Sequence, residues 1–322
     1  MFVEKWVDLF MTDNVRNLVS AGIVLYKPDF KRLNKNLYQL MQVLDTVILY
    51  NNDADLSQIK IPFQFKDRII IIGNGSNRGI AYALNCIMNK ADELGSKWVI
   101  TLDQDSIIPR NMIDEYSKYL NYAKIAIVCP QPIDNRRKYE KIVTTPETEY
   151  VDVCITSGSC TNVDIWKKVG KFDEWLFIDL VDNDFCKRII LSGYKILKIN
   201  SVILDHQYGM LKRRSKITET FFLKMGDLLN NVNIQKLSFK RLVNPIRIYY
   251  ENRNVIYLNK KYEKFGGIGY ENHHCRTYMG FFITFSVYSF LVGKNKKRIW
   301  KAIINGVNDG KSKKVIPWDV NN

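Results

Sequence analysis

The chain has 322 residues, 46% of them hydrophobic, and its 48 Lys and Arg against 33 Asp and Glu give a formal charge of +15. That length holds one large domain or two small ones, and the apolar content excludes a disordered chain. The basic balance points to an anionic partner, whether nucleic acid, an acidic membrane surface or a phosphorylated ligand.

In chain order, the first half alternates strands and helices. A strand is predicted over 18–26, closing at Pro28, and apolar positions at Leu33, Leu37, Leu40, Met41 and Leu44 predict a helix over 33–44. Strands follow over 46–50 and 68–72, the first ending in the turn cluster Asn51-Asn52-Asp53. A helix over 79–94 stops at Gly95, and a buried strand over 98–102 ends at Asp103-Gln104-Asp105-Ser106. Repeated βαβ units imply a mostly parallel sheet whose ligands sit beyond the strands' carboxyl ends. Tyr26, Asn51, the 73–78 loop and Asp103 to Asp105 would then gather at one edge. Beyond residue 110 the pattern is less regular: strands are predicted over 125–129 and 150–155, a helix over 185–191, and helices with denser basic and aromatic residues after about 210.

Six cysteines, none in Cys-x-x-Cys spacing, indicate neither a zinc site nor a redox pair and fit a reduced, cytoplasmic protein. The start, Met1 to Trp6, lacks a signal peptide's basic flank and apolar core. The longest uncharged stretch, 277–293, is broken by Gly280, Thr284, Ser286 and Ser289 and falls short of the roughly 20 apolar residues of a spanning helix.

Several clusters carry candidate chemistry. Asp103 and Asp105, two apart at a strand end, can share one hard cation that grips a diphosphate, although a polar turn accounts for the same residues. The small-residue loop Asn74-Gly75-Ser76-Asn77-Arg78-Gly79 is neither a dinucleotide fingerprint nor a P-loop, yet it can present backbone donors and Arg78 to phosphate near a helix start. In 177–188, Asp179 and Asp182 lie three apart, on one face if helical, with Asp184 pointing elsewhere. Trp166, Phe172, Trp175 and Phe177 nearby can desolvate a carboxylate into a usable base, while carboxylates at a helix start are also ordinary structure. His206 follows a strand and two acidic motifs, which makes it a candidate for metal or phosphate, whereas the adjacent His273 and His274 do not form a metal site. Tyr249-Tyr250-Glu251-Asn252-Arg253-Asn254 offers rings and a guanidinium, or a buried helix face. Phe281, Phe282, Phe285, Phe290 and Leu291 precede Lys294, Lys296, Lys297 and Arg298, a pattern that suits a helix on anionic lipid or a core helix followed by a charged turn.

The order of these pieces resembles a family-2 glycosyltransferase of the GT-A fold, in its bacterial rhamnosyltransferase branch. The resemblance runs from about residue 20 to 311. It is carried by Gly22 to Pro28, Asn77 to Ala81, Thr101 to Ser106, Ser157-Gly158, Gly170 to Glu174, Phe177 to Asp182, Tyr249-Tyr250 with Arg253-Asn254, Ile299 to Ile303 and Asn308-Asp309-Gly310. It implies an α/β, Rossmann-like core over 18–210, after an extension over 1–17, with a helical basic region over 211–322 completing the site. It further implies an inverting transferase that uses Mg²⁺ or Mn²⁺ and moves L-rhamnose from dTDP-rhamnose to a saccharide or lipid-linked saccharide in bacterial surface polysaccharide synthesis. Transfer from a UDP-hexose donor is the alternative.

By the same resemblance, Asp182 is the base. Asp105, Asp103 and His206 hold metal. Tyr26, Pro28, Asn51, Asn77, Arg78, Gly79, Asp103 and Arg253 bind the donor, and Ser157, Gly158, Trp175 and Asp179 lie on the acceptor side. The family often has an acid where Asn51 stands, which leaves uracil and thymine both open. The expected location is cytoplasmic, with the inner face of the membrane as a second possibility. No nucleic-acid partner is expected, since a basic nucleic-acid-binding protein would account for the charge but no standard motif for one is present.

Overall fold

The computed structural model describes residues 17–207, 209, 211–267, 275 and 277–319. They fall into two compact units, one running up to Ile133 and resuming over Ile142–His206, the other comprising Asp134–Lys141 and Gln207–Trp318. His273 and His274 lie outside the described residues.

The first unit is built on an eight-stranded sheet. In chain order its elements are β1 (Val19–Leu25), α1 (Phe30–Val43), β2 (Val47–Asn51), β3 (Ile69–Ile72), α2 (Ile80–Glu93), β4 (Trp98–Asp103), α3 (Met112–Ser117), β5 (Ile125–Ile133), β6 (Thr148–Val151), β7 (Ser159–Asn162), α4 (Val163–Lys168), α5 (Val181–Leu191) and β8 (Lys195–Asp205). The strand order is β3-β2-β1-β4-β7-β5-β8-β6. Pairings β1–β2, β1–β4, β2–β3 and β5–β8 are parallel, while β4–β7, β5–β7 and β6–β8 are antiparallel. The short, polar β7 (Ser-Cys-Thr-Asn), which no sequence periodicity marks, splits two parallel blocks.

Alternation along β1 divides the two faces of the sheet. Val19, Ala21, Ile23 and Leu25 pack with Leu33, Leu37, Leu40 and Met41 of α1 and with Met112 and Tyr116 of α3. On the opposite face Gly22 lies so close to α2 that a methyl group there would overlap the Ile87 side chain. Helix α1 is capped by Asp29, whose carboxylate accepts from the Lys31 and Arg32 amides.

The second unit contains the antiparallel pair β9 (Leu211–Arg213) and β10 (Phe239–Arg241), α6 (Lys216–Leu228), α7 (Val232–Gln235), α8 (Pro245–Lys261), α9 (Tyr278–Phe281), a π-helical turn (Phe282–Val287), α10 (Tyr288–Val292) and α11 (Lys296–Ser312). The 134–141 segment joins it through a Lys138–Glu219 ion pair at 3.1 Å. Helices α8 and α11 pack closely because Gly306 and Gly310 face the Tyr249 and Arg253 carbonyls, where a side chain would collide. Among the described residues no helix is long and apolar enough to cross a membrane.

Candidate active site

Parallel register aligns the carboxyl ends of the first strands: Leu25 lies opposite Asn51, and Val24 opposite Asp103. The expected edge therefore exists, and Asp103, Asp105 and His206 come together on it. One potential ligand atom from each lies within 4.8 Å of the others, and His206 Nδ1 is 3.8 Å from Asp103 Oδ2.

The supports of this group were not legible in the sequence. Gln104, between the two aspartates, donates through its side-chain amide to the Tyr26 carbonyl at 2.8 Å and accepts from the Tyr26 N–H at 2.7 Å, so it locks the Asp loop to the end of β1. Behind the loop runs a buried polar chain. The Asp103 N–H donates to Ser157 Oγ at 3.0 Å, Ser157 Oγ bonds Ser106 Oγ at 2.7 Å, and Ser106 Oγ bonds His206 Nδ1 at 2.9 Å. A hydrogen bond at Nδ1 fixes the imidazole plane, as such partners do for metal-binding histidines. Arg32 of α1 closes the other side. Its Nε donates to the Asp105 carbonyl, and its Nη2 donates to the Asp205 carbonyl at 3.2 Å and pairs with Asp205 Oδ1 at 3.0 Å. The Ile107 N–H also donates to the Asp205 carbonyl, at 3.0 Å. The Asp loop and the strand end before His206 are thus tied by three donors.

Asp182 lies at the first turn of α5, close enough to Asp103 to feel its charge. It lines a small cavity shared with Thr101, Cys154, Thr156, Phe172 and Phe185. Burial pushes its carboxyl up to about 6, and this outweighs the lowering by the Asn183 N–H, which donates to Oδ1 at 3.0 Å. Of the four aromatics expected to desolvate it, Phe172 lines the cavity, and it packs on Phe185 with ring centroids 4.5 Å apart. Trp166 is instead fully buried and donates to Asn85 of α2, whose amide also holds the Phe172 backbone. Trp175 is partly buried in the 173–177 turn.

The expectation that Asp179 and Asp182 share a helical face is corrected. Helix α5 begins only at Val181, and Asp179 (φ 69°) and Leu180 (φ 62°) both hold left-handed backbone conformations that turn Asp179 off the helix. Two such non-glycine residues in a row are strained, and strain of this kind concentrates at functional sites. Asp184 is directed away from the cavity, into a buried pair with Arg188 at 2.6 Å.

On the β2–β3 side, Asn51 Oδ1 accepts from the Asp53 and Ala54 amides, while Asn52 braces the 77–78 loop. It donates to Asn77 Oδ1 at 2.9 Å and accepts from the Arg78 N–H at 2.8 Å. The Gly79 N–H bonds Asn77 Oδ1, and the Ile80 N–H bonds the Phe177 carbonyl at 2.7 Å. The Arg78, Gly79 and Ile80 amides are therefore already engaged, and this loop also presents the exposed Arg78, stacked 3.8 Å over Tyr82. Gly79 (φ 86°) is required here, because a Cβ would meet the Phe177 carbonyl at 2.6 Å.

Tyr26 is exposed and Pro28 buried. Ser157 is fully buried within the polar chain described above. Gly158 lies beneath it, its carbonyl accepting from Tyr116 Oη at 2.8 Å. Arg253 belongs to the second unit, where it is 8% exposed, stacks 4.7 Å over Tyr250 and donates to Asn254.

The chain was compared with known families, proteins and structures. The model of the family described as glycosyl transferase family 2 matches residues 30–178. Over 258 residues the chain is 28% identical to the dTDP-rhamnosyl transferase RfbF of Shigella flexneri, spanning 76% of this chain and 80% of that protein. A crystal structure of GalNAc-T7 with UDP, GalNAc and Mn²⁺ aligns with 85% of the chain at 13% identity and a TM-score of 0.48, and the chain spans 57% of its length. The family match covers the Asp103 loop and the approach to Asp182, and together with the similarity to the dTDP-rhamnosyl transferase it supports a family-2 glycosyltransferase.

Proposed function

We propose that this glycosyltransferase moves L-rhamnose from dTDP-rhamnose to a saccharide or lipid-linked saccharide acceptor, with inversion at the anomeric carbon, in the cytoplasmic assembly of a bacterial surface polysaccharide. The observation that carries the chemistry is the placement of Asp182, with its raised pKa, beside the Asp103, Asp105 and His206 group. The donor assignment rests on the similarity to the dTDP-rhamnosyl transferase.

Two carboxylates and an imidazole suit Mg²⁺ or Mn²⁺, and the imidazole favours Mn²⁺. Asp105, Asp103 and His206 would hold the ion, which when bound offsets charge on the diphosphate. The protein's own part begins with orientation. Gln104 and Arg32 fix the Asp loop, and Tyr26 at the mouth of β1 would contact the nucleobase. Asp182 then takes the proton of the acceptor hydroxyl as its oxygen bonds to the anomeric carbon. The bond from that carbon to the diphosphate breaks on the opposite side, the diphosphate leaves with the electron pair, and the configuration inverts. A base titrating near 6 is ionised at neutral pH and yet basic enough to share the proton in the transition state.

The test is a panel of nucleotide sugars scored by ligand-observed NMR with Mn²⁺ present. dTDP-rhamnose is expected to saturate first and to be consumed when acceptor is added. Preferential consumption of a UDP-hexose would replace the donor assignment, for which the Asn51 position leaves room.

A further inference from the structure

The second unit carries an apolar face beside a cationic one. In the segment from α9 to α10, Phe281 and Phe285, at first sight part of a lipid-facing cluster, are 0% and 2% exposed and stack on each other in the interior. The exposed apolar row shares only Leu291 with that cluster: Met279 (61%), Ile283 (57%), Val287 (37%) and Leu291 (66%), with Tyr288 and Val292 beside it. Residues four apart drift by about 40° per step around an α-helix. The wider π-helical turn at Phe282–Val287 takes up that drift, so the row stays on one side.

The row ends where the charge begins. Lys296 Nζ donates to the Phe290 and Leu291 carbonyls and closes α10. Trp300 of α11, 52% exposed, meets Phe290 edge-on with ring centroids 5.8 Å apart, which extends the apolar surface. Lys294, Lys297, Arg298 and Lys301 are all exposed around it, and no acidic residue occurs from Thr277 to Asn308. An apolar strip with indole and phenol groups at its margin, in a stretch that carries cations and no acid, matches the boundary layer of an anionic bilayer. The uniform sign of the charge argues against a second copy of this chain, which would bring the same cations to the contact.

We infer that the face formed by Met279, Ile283, Val287, Leu291 and Trp300, with Lys294, Lys297 and Arg298, is a docking surface for anionic phospholipid. Its use, to bring the enzyme to the leaflet that holds a lipid-linked acceptor, rests on the function proposed above, whereas the surface itself does not.

The test is sedimentation of the full chain with phosphatidylglycerol-containing and with pure phosphatidylcholine vesicles, at low and high salt. The wild type is expected to partition onto the anionic vesicles only, and less so in salt. Ile283→Asp with Leu291→Glu, and separately Lys297→Glu with Arg298→Glu, should each lower the partition coefficient at least tenfold while leaving the rate on a soluble acceptor unchanged. Circular dichroism melts check that these exposed-site variants fold. Equal binding of all variants, no binding by the wild type at low salt, or a concentration-dependent dimer lost in Leu291→Glu would overturn the inference. Vesicle binding without sugar transfer would instead keep the surface and reject the enzymatic reading.

Discussion

At the residue scale, the proposed base Asp182 should set the pH dependence. Its folded value of about 6 lies above the roughly 3.9 of a free aspartate. The folded state therefore holds this proton more tightly than the unfolded state. The stability so gained is complete below about pH 4 and is lost as pH rises through 6. Activity should run the opposite way, with kcat/KM rising through an apparent pKa near 6 in a pH–rate profile. Asp182→Asn should lower the rate by about 10²- to 10⁴-fold, and in chemical denaturation at pH 8 it should be no less stable than the wild type. Arg32 is the other residue with a distinct expectation. Arg32→Gln removes the donors that tie Asp105 to Asp205, and it should weaken Mn²⁺ binding about tenfold, as loss of an outer-shell partner does. Electron paramagnetic resonance of free Mn²⁺ reads this without turnover, and unchanged affinity would mean that the loop holds its shape alone.

At the element scale, the sequence discloses what is local. Period and turn chemistry place β1 through β4 and both intervening helices within a few residues, because each carries its own hydrophobic rhythm. The Asp103/Asp105 pair is legible for the same reason, since it ends a strand written as Trp-Val-Ile-Thr-Leu. The polar chain is not legible. Ser106 and Ser157 stand 51 positions apart, and Arg32 and Asp205 173 apart, so only the folded sheet makes them neighbours. The start of α5 also escapes, because the left-handed Asp179 and Leu180 carry no glycine to announce them. At the start of α2, Gly79→Ala should destabilise the protein by about 1–3 kcal/mol in urea melts, since it meets both a positive φ and the Phe177 carbonyl.

At the scale of the whole molecule, the charge of +15 points to an anionic partner, and a nucleoside diphosphate donor and an anionic lipid are both of that kind. The family-2 match, residues 30–178, falls mostly in the first unit, and the second unit is built on the close packing of α8 against α11. The central claim is that one sheet edge holds both the donor's diphosphate and the base that activates the acceptor. Single-turnover transfer from dTDP-rhamnose with Mn²⁺, run beside calorimetric donor titration, tests that claim in wild type, Asp105→Ala and Asp182→Asn. The account predicts that Asp105→Ala loses Mn²⁺-dependent donor binding, and that Asp182→Asn binds donor like the wild type yet forms no product on the same timescale. Wild-type rates in Asp182→Asn, or donor affinity indifferent to Mn²⁺ in the wild type, would contradict it.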